Sequence, residues 1–171
     1  NRPSIIRLGC SPMWKIDSPP PPASIYTSQS IYLPNIVQSL IEQDKNPGKS
    51  RVLIMGITFK EEVSDIRNSK VVDLIKEMES FAVHVEVMDP HADSDELFEN
   101  YGFSLITEPK GKYDAVVVAV NHNDYADLNE KDFEKWLTPK GIVVDVKGTY
   151  RNKITNFNFR VTGTLHKGTC V

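Results

Sequence analysis

The chain has 171 residues, of which 40% are hydrophobic and 25% charged. That length suffices for one hydrophobic core with an appendage, since domains usually contain about 100–150 residues. The formal net charge is -3 and the pI is near 5.8, which argues against nucleic acids and anionic membranes as partners. The sequence shows no signal peptide and no apolar run of roughly 20 residues, so it predicts a cytoplasmic protein without a membrane span.

The first part of the chain is predicted to be an extended linker that leads into a helix. Residues 1–27 have no periodicity and include Pro19–Pro22, which favours a polyproline conformation. The helix is predicted over Ser28–Gln43, with Pro34 tolerated near its start and Asn46-Pro47-Gly48 ending it. Its apolar residues recur at three- and four-residue steps and predict one buried stripe: Ile31, Leu33, Ile36, Val37, Leu40 and Ile41.

Strands and helices alternate in the remainder. Short apolar runs predict strands, and residues at helical spacing predict helices. The predicted strands are Arg51–Ile57, Val83–Met88, Phe103–Ile106, Ala115–Val120 and Ile142–Val146, and the predicted helices are Ser69–Met78, Asp93–Tyr101 and Lys131–Leu137. This order predicts an α/β fold with a three-layer, Rossmann-like, open and mostly parallel sheet. We expect the helix to occupy residues 28–46, the Rossmann-like domain residues 47–165 and a tail residues 166–171.

Ligands of open α/β sheets bind at the carboxyl ends of the strands, and the connection after the first predicted strand is unusually long. It contains no GxGxxG, so a glycine-backbone cradle for a pyrophosphate is missing. Instead, the ammonium group of Lys60 and the planar guanidinium group of Arg67 can each bind an anion. On residue types alone, a solvated Lys60 and an Arg67 paired with Asp65 or Glu62 are the commoner arrangement.

Three further strand ends carry polar residues. Asp89 is in a position that can bind a ribose hydroxyl, and the neighbouring His91 suggests a metal ligand, but Asp93–Glu96 are better explained as the acidic first turn of a helix, so we expect no metal site. His122 suits a hydrogen-bonded structural imidazole that caps the next helix better than a proton carrier. Lys147 follows the last predicted strand and should share an edge with Lys60, an arrangement suited to a diphosphate.

The two cysteines, Cys10 and Cys170, lie near opposite ends of the chain. Neither belongs to a CxxC or Cys/His pattern, and neither has an activating neighbour in its local sequence. We expect both to be incidental thiols, and we assign no catalytic residue.

Four strings carry a family resemblance: VLIMGITFKEEVSDIRNSKVVDLIKEM, VEVMDPHAD, YDAVVVAVNHNDY and GIVVDVKGTY. Over roughly Ser28–Tyr150 they resemble the C-terminal domain of the UDP-glucose/GDP-mannose dehydrogenase family, nearest to the members that oxidise UDP-N-acetylhexosamines. The resemblance implies oxidation of the sugar C6 alcohol to a carboxylate for surface polysaccharide biosynthesis, with two NAD and a catalytic cysteine that forms a thiohemiacetal and then a thioester. It also implies a central helix that carries the contact of a homodimer.

The resemblance assigns roles to individual residues. Phe59 and Lys60 would contact the UDP-sugar, Arg67 would reach the NAD site, and Lys147 would be a further substrate contact. Asp65 would orient the loop.

This sequence departs from the family pattern in two respects. It has neither the NAD fingerprint nor the family's GGxCxxKD string, so we expect the chain alone to be inactive and NAD to be bound mainly by another domain. A stand-alone, non-catalytic nucleotide-sugar-binding or oligomerisation module is the alternative. A flavodoxin-like receiver fits poorly, because Gly56 and Thr58 follow the first strand instead of acidic residues.

Overall fold

The computed structural model describes residues 32–155 and 158–161, with side chains from residue 36 to residue 155. The predicted linker, the predicted tail and both cysteines lie outside these residues. Within them, no helix has the length and apolar character needed to cross a lipid bilayer. In chain order the helices and strands are α1 (Tyr32–Glu42), β1 (Arg51–Met55), α2 (Lys70–Ser80), β2 (His84–Met88), α3 (Ser94–Tyr101), β3 (Tyr113–Val118), α4 (Glu130–Trp136), β4 (Leu137–Asp145) and β5 (Asn158–Val161), with 3-10 turns at Pro47–Lys49 and Asn123–Tyr125.

The five strands form one parallel sheet in the order β2-β1-β3-β4-β5. At the carboxyl end of β1, Met55 pairs with Met88 of β2 on one side and Val118 of β3 on the other. A single parallel bridge joins Val87 to Leu105 at the outer edge of β2. The winding direction therefore reverses between β1 and β3, which is where doubly wound sheets open a ligand crevice.

Helices cover both faces of the sheet, which confirms the predicted three layers. Alternate residues of β1 point to opposite faces, so Val52 and Ile54 join one core while Leu53 and Met55 join the other. The first core lies against α1, α2 and α3, and the second lies against α4 and the Asn123–Tyr125 turn. Full burial of each large aliphatic side chain contributes about 1.5–3 kcal/mol, so both faces stabilise the sheet.

The helix α1 packs against its own domain. Ile36 and Leu40 are fully buried in the first core, whereas Ile41, which the sequence placed in the buried stripe, is 58% exposed. Beyond the helix, Lys45 donates hydrogen bonds from Nζ to Asp114 Oδ1 at 2.6 Å and to Thr138 Oγ1 at 2.8 Å. This polar contact joins the end of α1 to the amino edge of the sheet. The side chains of Ile31 and Leu33 lie outside the described residues.

Most predicted strand bounds differ from the observed ones by at most two residues, and three differences are larger. The segment Phe103–Ile106 forms only the bridge at Leu105, because it is confined between Gly102, which ends α3 in a left-handed conformation, and Pro109. The strand β4 begins at Leu137, directly after α4, and not at Ile142. The edge strand β5 was not predicted, since Asn158–Val161 mixes polar and apolar residues.

Candidate functional site

A cleft of about 220 Å³ opens at the carboxyl edge where the winding reverses. The β1–α2 connection, residues 56–69, forms one wall, and the segments after β3 and β4 form the other. Of the predicted site residues, Phe59 and Lys147 line the cleft, while Lys60 and Arg67 belong to the same connection without lining it. The lining comprises Thr58, Phe59, Asn68, Ser69, Lys70, Val71, Leu74, Ala119, Val120, Val146 and Lys147.

Phe59 and Lys60 stand at the exposed tip of the connection. The Phe59 side chain is 59% exposed, as is that of Phe98 elsewhere in the fold, and the Phe59 backbone N–H donates to the Asp65 carbonyl at 2.7 Å. Thr58 stabilises the same tip, because its Oγ1 donates a hydrogen bond to the Lys60 carbonyl at 3.0 Å. Among the described residues, the exposed Lys60 ammonium group has no hydrogen-bond or ion-pair partner. The tip therefore presents an aromatic face and a solvated cation together.

Lys147 is placed by a tight turn at the end of β4. The buried Asp145 carboxylate accepts backbone hydrogen bonds from Lys147 at 3.1 Å, Gly148 at 2.8 Å and Tyr150 at 2.8 Å. The Lys147 ammonium group contacts the carboxylate of Glu61, the neighbour of Lys60. The prediction that Lys60 and Lys147 share an edge is thus confirmed. The sequence analysis missed the positioning role of Asp145, although an aspartate just before a Lys-Gly turn is a usable signal.

Arg67 pairs with Asp65, as its residue type alone predicted. Its Nε and NH2 groups donate to the two carboxylate oxygens at 3.0 and 3.3 Å. These hydrogen bonds, together with one from the Arg67 backbone, lower the pKa of Asp65. The Arg67 side chain is still 76% exposed, so this pair is a surface contact that an incoming anion can rearrange.

The base of the connection is fastened by Asp89 and His122, whose side chains are both fully buried. Asp89 Oδ2 accepts from the backbone of Ile57 at 2.6 Å and of Thr58 at 3.2 Å, and it lies 3.1 Å from His122 Nε2. Burial opposes ionisation, but the backbone donors Ile57 and His91 and the nearby imidazole hold the pKa of Asp89 below its usual range. Asp89 is therefore engaged in the chain's own structure and does not face a ribose.

His122 has the structural role that the sequence predicted, but it does not cap the following turn with its side chain. Its Nδ1 accepts from the Glu62 backbone N–H at 3.1 Å, which places the ring proton on Nε2. That proton points to Asp89 and to Thr58 Oγ1, which is also 3.1 Å away. His122 thereby joins the end of β3 to the connection that carries Phe59 and Lys60.

Gly56 begins the connection and permits a close approach of two strand ends. Its φ is +88°, and a Cβ added there would lie 2.5 Å from the Cβ of Val120. An L side chain would be strained in this conformation and would also collide with the backbone after β3. The need for glycine thus comes from packing at the crevice.

Positive groups accumulate around the cleft. Lys70, which the sequence analysis did not single out, lines it from the first residue of α2. The helix N-terminus adds a partial positive charge, and Ser69 caps it by accepting from Val71 N–H at 3.3 Å. Lys70 and Lys147 line the cleft, each beside a carboxylate, of Asp73 and Glu61 respectively, and Lys60, unpaired among the described residues, lies on the same connection. These ammonium groups near the opening can attract an anionic ligand.

Comparisons with known proteins agree with this geometry. The family model described as "UDP-glucose/GDP-mannose dehydrogenase family, UDP binding domain" matches residues 53–152. A UDP-N-acetyl-D-glucosamine 6-dehydrogenase of Salmonella typhi is 34% identical over 113 residues, which are 66% of this chain and 27% of that protein. Protein CapL of Staphylococcus aureus is 34% identical over 128 residues, 74% of this chain and 30% of that protein. The chain thus spans less than a third of the length of these relatives.

Solved structures share the fold. The UDP-D-ManNAc dehydrogenase of Pyrococcus horikoshii has a TM-score of 0.65 at 18% identity and covers 78% of this chain, which spans 30% of it. The UDP-N-acetyl-mannosamine dehydrogenase Cap5O of Staphylococcus aureus has a TM-score of 0.63 at 19% identity, with 79% and 30% covered. The family match extends over more than half of the chain, from within β1 to beyond β4. The chain therefore belongs to the UDP-glucose/GDP-mannose dehydrogenase family and contains its UDP-binding domain.

Proposed function

We propose that this chain supplies part of the UDP-sugar site of an NAD-dependent nucleotide-sugar 6-dehydrogenase, with Phe59, Lys60 and Lys147 as substrate contacts. The enzyme would oxidise the C6 alcohol of a UDP-N-acetylhexosamine to a carboxylate, giving a uronic acid for surface polysaccharide biosynthesis. The observation that carries the proposal is the cationic cleft at the winding reversal, in a chain of this family.

The chemistry of the cleft suits a nucleoside diphosphate. A diphosphate carries several negative charges, and ammonium groups at its border bind such charges without a glycine cradle. The exposed ring of Phe59 offers a flat apolar face to a base or sugar ring beside Lys60. Removal of apolar surface from water would then add to the attraction between opposite charges.

The size of the cleft indicates a partial site. Pockets that enclose a drug-sized ligand usually measure about 300–1,000 Å³, whereas this cleft measures about 220 Å³. It would hold only part of a UDP-sugar, and the remaining ligand surface would be covered by another domain or subunit. Selection among sugars would then depend on that second surface.

NAD would accept hydride in the complete enzyme, and the residues present fit only a peripheral contact to it. The β1–α2 connection turns on Gly56 alone and is held by Asp89, so it lacks the glycine backbone that receives a pyrophosphate. Arg67, by contrast, exposes a guanidinium group that can donate to a phosphate or ribose oxygen. We therefore assign Arg67 to an NAD contact at the domain edge.

We further propose that α1 continues a helix that forms a homodimer contact in this enzyme. Ile36 and Leu40 attach the helix to its own domain, while Ile41 leaves an apolar side chain 58% exposed on the same helix. An exposed isoleucine beside a buried stripe is suited to a partner surface. Sedimentation of the chain and of Ile41→Glu would test this, since the charged variant should shift the equilibrium toward monomer.

Calorimetric titration with UDP and UDP-N-acetylglucosamine tests the proposed site. Lys60→Ala should weaken binding by about tenfold or more, because a hydrogen bond to a charged group contributes about 1.5–3 kcal/mol. Lys110→Ala is the matched control, since Lys110 is also exposed but precedes β3 at the opposite edge of the sheet. Equal affinity of the two variants would contradict the assignment of Lys60.

A further inference from the structure

Three side chains with metal-ligating atoms converge beneath the β1–α2 connection, next to the proposed substrate contacts. One ring nitrogen of His91, one of His122 and a carboxylate oxygen of Glu62 all lie within 4.8 Å of one another. Glu62 Oε1 is 3.7 Å from His91 Nε2 and 3.8 Å from His122 Nδ1. Ligands bound to tetrahedral zinc at about 2.0–2.1 Å are about 3.3 Å apart. The two glutamate distances exceed that spacing by about 0.4–0.5 Å, and the two imidazole nitrogens, which lie within 4.8 Å of each other, must approach by at most about 1.5 Å.

The protonation of His122 already suits a metal ligand. Its Nε2–H points to the buried Asp89 carboxylate at 3.1 Å, and its Nδ1, which accepts from the Glu62 backbone N–H, lies 3.8 Å from Glu62 Oε1. Metal-binding histidines commonly donate their second ring N–H to a carboxylate, which fixes the ring and increases its basicity. A bound ion would replace the hydrogen bond that Nδ1 now accepts from the Glu62 backbone.

The charges around the cluster favour a cation. Asp124 Oδ2 lies 3.1 Å from His91 Nε2, beside the cluster on its exposed side. Glu62, Asp124 and Asp89 place three carboxylates around two imidazoles, and within the described residues those imidazoles are their only ion-pair partners. Two imidazole nitrogens select zinc-like transition metals over Mg²⁺ and Ca²⁺, which prefer oxygen ligands.

We propose that Glu62, His91 and His122, with Asp124 as the fourth ligand, bind a structural divalent transition-metal ion, with zinc the preferred one. The ion ties the β1–α2 connection to the ends of β2 and β3, and so holds the loop that carries Phe59 and Lys60. Glu62, His91 and His122 are far apart in sequence and lie on three different connections, so the site has no short ligand motif such as CxxC or HxxxH.

The test is zinc binding by the full chain in a Cys10→Ser/Cys170→Ser background, which removes thiol ligands. Competition with a chromophoric chelator measures stoichiometry and affinity, and Co²⁺ substitution reports geometry through its visible absorption. We expect one equivalent of zinc and a tetrahedral Co²⁺ spectrum. His91→Ala and Glu62→Gln should each weaken affinity by at least about tenfold.

Two controls make the result decisive. His84→Ala removes a histidine that is 64% exposed at the start of β2 and should leave affinity unchanged. His166→Ala removes the remaining histidine and should also have no effect. Circular dichroism should show that each variant is folded. The proposal is overturned if no stoichiometric zinc is bound, if His91→Ala binds like the background chain, or if His166→Ala abolishes binding.

Discussion

The carboxylate of Asp114 should carry a measurable share of the free energy of unfolding, because it joins four parts of the fold at the amino edge of the sheet. Its Oδ1 accepts from Lys45 Nζ at 2.6 Å and from Thr138 Oγ1 at 3.0 Å, and its Oδ2 accepts from the Arg51 backbone at 3.0 Å. In Asp114→Asn an amide NH2 group replaces one of the two carboxylate oxygens, so a donor faces a donor there. The negative charge opposite Lys45 is also lost. We expect a loss of about 2–4 kcal/mol at neutral pH, since hydrogen bonds to charged groups contribute about 1.5–3 kcal/mol each and do not add fully.

The effect should depend on pH with a defined sign. Burial raises the pKa of Asp114, but the hydrogen bonds from Lys45, Arg51 and Thr138 outweigh it, so the folded-state pKa is lowered. The stabilisation is therefore complete above the unfolded pKa of about 3.9 and is lost as pH falls through the lower folded-state pKa. Urea unfolding followed by circular dichroism at pH 7, 5 and 3 measures the difference between wild type and variant.

The matched control is Asp127→Asn, which changes an exposed carboxylate for which the structure gives no ion-pair partner among the described residues. It should change the free energy of unfolding by less than about 0.5 kcal/mol. A difference for Asp114→Asn that is equally small, or one that persists undiminished below the folded-state pKa, would refute the reasoning.

Two further predictions concern the crevice itself. Gly56→Ala should destabilise the fold by about 1–3 kcal/mol more than Gly102→Ala, as measured by urea unfolding. Both glycines have a positive φ, but only at Gly56 would an added Cβ collide with Val120. Equal losses would show that the close approach of Gly56 and Val120 is relaxed in solution. Glu61→Gln should strengthen UDP binding by up to about fivefold in calorimetry. The reason is that the carboxylate of Glu61, whose exposed ion pair with Lys147 contributes about 0.2–1 kcal/mol, no longer competes with UDP for that lysine. Weaker binding would mean that Glu61 positions Lys147.

Much of the architecture could be read from apolar patterning. The strands β1 and β3 contain the continuous apolar runs Val52–Met55 and Ala115–Val118, which are buried, and α2 repeats its apolar residues at helical spacing. The order of these elements predicted the parallel sheet. The start of β4 could not be predicted, because Thr138-Pro139-Lys140-Gly141 has turn composition and lies in the register shift between the Leu137 and Ile142 pairs with β3. The same holds for β5, whose pairing with β4 is a tertiary effect.

The site was predictable in position and less so in detail. Ligands of open α/β sheets bind at the carboxyl ends of the strands, and this rule placed Lys60 and Lys147 at one edge of the sheet. The contact of Lys147 with Glu61, the neighbour of Lys60, confirms that placement. The conformation of the β1–α2 connection could not be predicted, since it depends on Asp89 and His122, which are distant in sequence. For the same reason the convergence of two histidines on one glutamate was visible only in three dimensions.

The central claim is that the carboxyl edge of this domain binds the UDP moiety, and amide chemical-shift mapping of the chain with UDP tests it most directly. We expect the largest shifts within residues 56–71 and 146–149, and smaller shifts at Lys110 and the amino edge. Shifts confined to the amino edge, or none at 10 mM UDP, on the order of ten times a weak millimolar Kd, would contradict it.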